Sequence, residues 1–245
     1  KEQVAPDLPE LVETIHYSEM SDAQSKFYEK EKSAARNYLA GLDRKGGQFR
    51  FHVLSSLMKL RQIANHPAIA DQEYALDSGK FEDIKDQINT IVKSGHKVLI
   101  FSSFIAHLSL FETWLQSESV RYLLLTGSMN SDQRAKAVTD FQHDATIQVF
   151  LISIKAGGTG LNLTAADYVF ILDPWWNPFV EMQAVARAHR IGRTNSVFVT
   201  RFISKDTIEE KIMRLQEKKR NLSDDIIDIN ELKDFSDNDL EKLLD

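Results

Sequence analysis

Two arginines, Arg187 and Arg190, stand three residues apart in the run QAVARAHRIGR at residues 183–193. On a helix, that spacing puts both guanidinium groups on one face. Two planar forks of N–H donors on a rigid support are suited to gripping phosphate oxygens. Upstream, KAGGTGLNL at 155–163 places glycines at 157, 158 and 160. Without a Cβ, the backbone N–H groups there can approach an anion or a ribose closely. Singly these features are weak, because any tight turn favours glycine. Together and in this order they are specific.

The elements that must position them follow from pattern. VLIFSS (98–103), 122–125, 148–153, 168–172 and 197–202 are short apolar runs of the kind found in strands buried on both faces. Helical spacing appears between them. Phe81, Ile84, Ile88 and Ile91 mark one helix, stopped at Gly95. Leu108, Phe111 and Leu115 mark another. Further helices are expected from a cap at Ser131 or Asp132 through Phe141, and from Phe179 to Ala188. Alternation with short links means a parallel sheet covered by helices on both faces, an α/β doubly wound fold. Ligands in such folds sit beyond the carboxyl ends of the strands, and SSF, LTGS, KAGGTG and DPWWNP all follow strands.

Ahead of this series, a strand is expected at 11–16. Helices from Ser21 to Leu42 and from Phe49 to Ala64, joined by a glycine-rich turn, read as a helical hairpin closed by Pro67. After the series, Asp206 or Thr207 caps a last helix, with Glu209 and Glu210 placed for a capping box.

The 245 residues can bury a substantial core, and 42% hydrophobic with 27% charged content is that of a soluble globular protein. No apolar run is long enough for a membrane helix. The absence of cysteine excludes disulfides, thiolate metal sites and cysteine nucleophiles. No Ser/His/Asp set or clustered metal ligands is visible. The net charge of −6 is unevenly spread: residues 181–220 hold ten Lys/Arg against five acids, whereas 221–245 hold two lysines against nine acids. That asymmetry raises the hypothesis of an acidic tail competing for a basic stripe.

The motifs resemble those of superfamily-two helicases and translocases. QAVARAHRIGR is similar to motif VI, KAGGTGLNL to motif V and VLIFSSF to motif IV. LRQIANHP, ILDPWWNP and DTIEEKIMRLQEKKR narrow the resemblance to the Swi/Snf-type chromatin-remodelling and DNA-translocase family. It implies a RecA-like second lobe, with a helical-hairpin insertion and a C-terminal helix. GxxxxGK[ST] and the acidic Walker B element of a first lobe are missing from the sequence. The implied organisation is 1–20 linker or end of the first lobe, 21–70 protrusion, 71–79 linker, 80–205 second lobe, 206–222 brace helix and 223–245 acidic tail.

Resemblance also implies roles. Arg187 and Arg190 would be the catalytic arginine fingers, and Gly158, Gly160 and Gln183 would serve the nucleotide side. Ser103, Thr126, Gly127, Lys155, Thr159 and Trp176 would hold the DNA backbone, with Trp175 in the core. ATP with Mg²⁺, held mostly by the first lobe, would be the cofactor. Double-stranded DNA, the N-terminal lobe and a nucleosome or DNA-bound protein would be the partners. The fragment alone would be inactive, and its home would be a bacterial nucleoid and cytoplasm or a nucleus. Two departures stand out. Ala186 replaces the acid common before the first motif VI arginine, and Arg193 replaces the usual final glutamine. The ending HRIGRT leaves an RNA helicase lobe as the alternative, beside a non-enzymatic binding module.

Overall fold

The computed structural model describes residues 9–43, 47–156, 160–190, 195–222 and 240–244. Its strands are β1 (Leu11–Ser18), β2 (Val98–Ser102), β3 (Tyr122–Leu125), β4 (Val149–Ser153), β5 (Tyr168–Ile171) and β6 (Val197–Ser204). Its helices are α1 (Asp22–Ala40), α2 (Gly47–Asn65), α3 (Gly79–Lys93), α4 (Ile105–Ser117), α5 (Ser131–His143), α6 (Pro178–Val185) and α7 (Ile208–Leu222), with a 3₁₀ turn at Pro67–Ile69. The chain forms two compact units, one of Lys1–His16, Ile84–Trp175 and Phe179–Phe202, the other of Tyr17–Asp83, Trp176–Pro178 and Ile203–Asp245.

The strands form one sheet in the order β1-β6-β5-β2-β4-β3. The pairs β2–β4, β2–β5, β3–β4 and β5–β6 are all parallel. Every residue of β2 and β4 is buried, as their unbroken apolar runs require. Alternation divides them between two faces. Leu99, Phe101, Phe150, Ile152, Val169 and Ile171 share a core with Ala137 and Phe141 of α5 and Ala184 and Val185 of α6. From β2 the chain runs outward to β3, returns through β4, then crosses to β5 and β6. The order therefore reverses around β2, and the crevice at its carboxyl end is a topological switch point.

The second unit is built on the helical hairpin. Tyr28, Leu39, Phe49, Val53, Leu57, Leu60 and Ile63 pack with Ile208 and Ile212 of α7. Inside it lies a polar knot. Lys80 and Glu209 pair at 2.5 Å with both side chains fully buried. Glu209 also accepts from Asn65 Nδ2 at 3.1 Å and from the Ser204 amide at 2.9 Å. Of the two acids expected to cap α7, Glu210 accepts the Asp206 amide at 3.3 Å, whereas Glu209 turns inward to the Lys80 ammonium. Gly79, at the start of α3, is required by space: a Cβ there would stand 1.9 Å from the Glu19 carbonyl oxygen.

Boundaries moved where local bonding outbid pattern. The cap of α5 is Asn130, which forms a capping box with Gln133, rather than Ser131 or Asp132. β1 and β6 run on to Ser18 and Ser204, where the Lys205 amide donates to Ser18 O at 2.9 Å.

Candidate nucleotide and nucleic-acid site at the strand ends

The parallel register sets the strand ends level. Ser102 stands opposite Ser153, Leu125 opposite Ile152 and Phe101 opposite Ile171. The turns that follow, at Ser103, Thr126, Ile154 and Asp173, consequently leave one edge of the sheet at the same height. Two cross-links continue the ladder past the strands: Ile154 N–H donates to Ser102 O and Leu172 N–H to Phe101 O, each at 2.9 Å.

Asp173 is the anchor of this edge. It is buried, and its carboxylate accepts the Ser102 hydroxyl at 2.6 Å, the Ser103 amide at 3.1 Å and the Ser103 hydroxyl. Ser103 was expected to offer its amide and hydroxyl to phosphate, but both donate to Asp173. It is part of the scaffold. Thr126 is largely buried, with its hydroxyl 2.8 Å from that of Ser128. Gly127 is exposed with open space where a Cβ would be, and its carbonyl accepts Arg134 Nη2 at 3.2 Å. Lys155 is exposed, its ammonium 5.5 Å above the ring of Trp175.

The two tryptophans exchange their expected places. Trp176 is 6% exposed and packs in the helical unit's core, with the Arg61 guanidinium 5.4 Å from its ring. Trp175 is the one left half-buried. Its amide donates to Glu181 at 2.8 Å, and Glu181 also accepts Arg201 Nε at 3.1 Å. Arg201 reaches Glu13 as well, at 3.1 Å. Burial alone would lower the Arg201 pKa, but the charges of Glu181 and Glu13 raise it overall. This buried ion chain fixes the loop after β5 to the first turn of α6.

The motif VI arginines are not on a regular helix. α6 ends at Val185; beyond it the Ala186 and His189 amides still reach back four residues, but those of Arg187 and Ala188 reach back only three, to Ala184 O and Val185 O. The Arg187 carbonyl accepts the Leu163 amide at 3.0 Å. That bond joins the segment after the glycine-rich turn to the arginine turn. Arg187 is half-buried, Arg190 exposed. Gly160, with φ +57°, is exposed and needs glycine for its backbone. Gln183 is exposed on α6 and makes no side-chain hydrogen bond among the described residues. Gly158, Thr159 and Arg193 lie outside the described residues. Among those described, no group of three or more His, Asp or Glu could hold a metal ion, and no helix could cross a membrane.

Residues 79–192 match the family described as "Helicase conserved C-terminal domain". The chain is 35% identical over 242 residues to "Chromatin structure-remodeling complex subunit snf21" of Schizosaccharomyces pombe, covering 93% of this chain and 20% of that one. It superposes on the "Sulfolobus solfataricus SWI2/SNF2 ATPase C-terminal domain" with a TM-score of 0.77 at 29% identity, covering 96% and 98% of the two chains. The "Sulfolobus solfataricus SWI2/SNF2 ATPase core in complex with dsDNA" gives 0.75 at 30% identity, over 91% of this chain and 47% of that one. This chain is a C-terminal helicase lobe of the SWI2/SNF2 type. It spans 13% to 20% of the length of three curated relatives that it matches.

For a helicase lobe of this type, the motif residues were legible but their buried supports were not. Asp173, Glu181 and Arg201, and the half-buried Arg134, have no place among the expected site residues. Three of them carried a usable signal. An acid closing the apolar run YVFILD, an acid inside PFVEMQAV and an arginine inside VFVTRFIS are charges in stretches destined for burial, and each needed a partner.

Proposed function

We propose that this lobe is the second half of an ATP-dependent double-stranded-DNA motor. One observation carries the reading: the Leu163–Arg187 backbone bond ties the arginine turn to the motif V segment at the strand-end edge. ATP would supply the phosphoanhydride, with its Mg²⁺ held mostly by the first lobe. Arg190, exposed, and Arg187, half-buried, reach the γ-phosphoryl oxygens and stabilise the charge that develops there. Such arginines are worth about 10³ to 10⁵ in rate in related chemistry. Gly160 keeps the backbone near them clear of side chain. The Gly127 amide and the Lys155 ammonium hold phosphates of one DNA strand, fixing position without reading sequence. The solved duplex complex of a similar ATPase core supports double-stranded DNA as the track.

By itself the lobe lacks the partner surface for the triphosphate and is expected to be silent. The deciding experiment measures turnover by the two-lobe protein with duplex DNA, single-stranded DNA and RNA, before and after Arg190→Ala. The expected result is duplex-stimulated hydrolysis that falls by about 10³ or more in the variant, with ATP binding retained. Near-normal turnover in the variant removes the finger role. Stimulation by RNA alone makes this an RNA motor instead.

A further inference from the structure

Leu240, Leu243 and Leu244 are 0%, 5% and 1% exposed, although they lie in the most acidic stretch of the chain. They sit on one helical turn, in which the Leu243 amide donates to Leu240 O at 3.2 Å and the Leu244 amide to Glu241 O at 2.8 Å. A Leu-x-x-Leu-Leu spacing sets three apolar side chains on the same side of such a turn. They join a cluster that includes Tyr28 and Leu39 of α1 and Ile208 and Ile212 of α7. Two cations close the turn's carbonyl end. Arg36 Nε donates to Leu244 O at 2.8 Å, and Lys211 Nζ donates to Leu243 O at 3.1 Å. The carbonyl end of a helical turn carries unsatisfied acceptors and partial negative charge, so cations belong there.

An apolar floor with a cationic stop at one end is how grooves recognise short amphipathic helices. We infer that α1 and α7 form a docking groove for a Leu-x-x-Leu-Leu turn, and that residues 240–244 of the same chain are its occupant. α7 ends at Leu222, and the 17 intervening residues, 223–239, hold seven acids and one lysine. Seating the turn tethers this acidic stretch at both ends to the unit that carries Lys211, Arg214, Lys218, Lys219 and Arg220. A tether of that length gives an effective concentration on the order of millimolar. A groove of modest intrinsic affinity therefore stays filled by its own chain, and the free peptide binds it poorly until the seat is vacated.

The chain contains no cysteine, so reporters can be introduced cleanly. Spin labels at Asn37→Cys and Lys242→Cys, both on exposed positions, should give one narrow short-distance population. Leu240→Asp with Leu243→Asp should broaden it, with circular dichroism showing the helices intact. A broad distribution in the otherwise unaltered chain overturns the proposal. A short distance that arises only between differently labelled copies overturns the same-chain occupant.

A fluorescent peptide of residues 238–244 should bind the Leu240→Asp/Leu243→Asp chain saturably, and the unaltered chain at least ten-fold more weakly. Binding to neither overturns the groove. Should the double variant fail to fold, Arg36→Ala tests the same seat while leaving every apolar contact in place. It should widen the distance distribution, and an unchanged distribution rejects the cationic stop.

Discussion

The strand-end edge and the polar knot of the helical unit both bury carboxylates, and they use them differently. At the edge, Asp173 and Glu181 accept hydrogen bonds from the backbone of neighbouring turns, Ser103 in one case and Trp175 in the other. Their charge fixes the loops after β2 and β5, on the edge where Gly127 and Lys155 stay open to solvent. In the knot, Glu209 takes the Lys80 ammonium, the Asn65 amide and the Ser204 amide, so that α2, α3 and the end of β6 meet on one oxygen pair. Nothing of the knot faces water. A buried acid that bonds to loop backbone makes a presenting surface rigid. One that bonds to side chains from distant elements joins those elements together.

The comparison can be broken most directly at Lys80. Lys80→Met leaves the Glu209 carboxylate buried without its cation and should cost about 3–5 kcal/mol, read from denaturant unfolding. Adding Glu209→Leu should recover part of that loss, because no charge is then stranded. A double variant no better than the single would mean that the bonds to Ser204 and Asn65 matter more than the ion pair.

At the edge, Asp173→Ala should cost less, about 1–3 kcal/mol. It should also speed hydrogen exchange at the Ser103 amide and, in the two-lobe protein, raise the KM for DNA. Loss of stability without faster exchange at Ser103 would contradict the presenting role.

The two glycines sharpen the contrast further. Gly160→Ala must hold alanine at positive φ with nothing to collide with, for a cost of about 1 kcal/mol. Gly79→Ala collides with backbone and should cost more. Equal costs would mean that the helical unit yields at that point.

The smallest effect concerns acid. Hydrogen bonds from Thr146, aided by Arg121, hold Asp144 below the usual carboxylate range. A depressed carboxyl stabilises the fold above its unfolded pKa, near 4. That contribution is lost as pH falls through the lower folded value. Asp144→Asn should therefore lower the melting temperature slightly at neutral pH and converge on the unaltered chain below about pH 4, which flattens the fall with acid.

The sheet was legible because its evidence is local. VLIF and VFLI are continuous apolar runs, and a strand buried on both faces has no other pattern. The charged residues that organise the interior were not, because their partners are far away in sequence. Lys80 and Glu209 are 129 residues apart, and beside a cap-like Thr207 a glutamate looks like a capping residue. The motif VI helix was read three residues too long. Its periodicity continues through Ala188, but the Arg187 and Ala188 amides bond back only three residues. In WW, two identical side chains offer no local signal to separate them, and only Arg61 and its surroundings decide that Trp176 is the buried one.

The Leu163–Arg187 bond has a mechanical consequence. It joins two segments 24 residues apart in sequence at a single point, across 3.0 Å. A load applied to the motif V segment is passed along the backbone to the arginine turn without a flexible side chain in the train. In a machine's vocabulary this is a connecting rod: what pulls on one end has already moved the other.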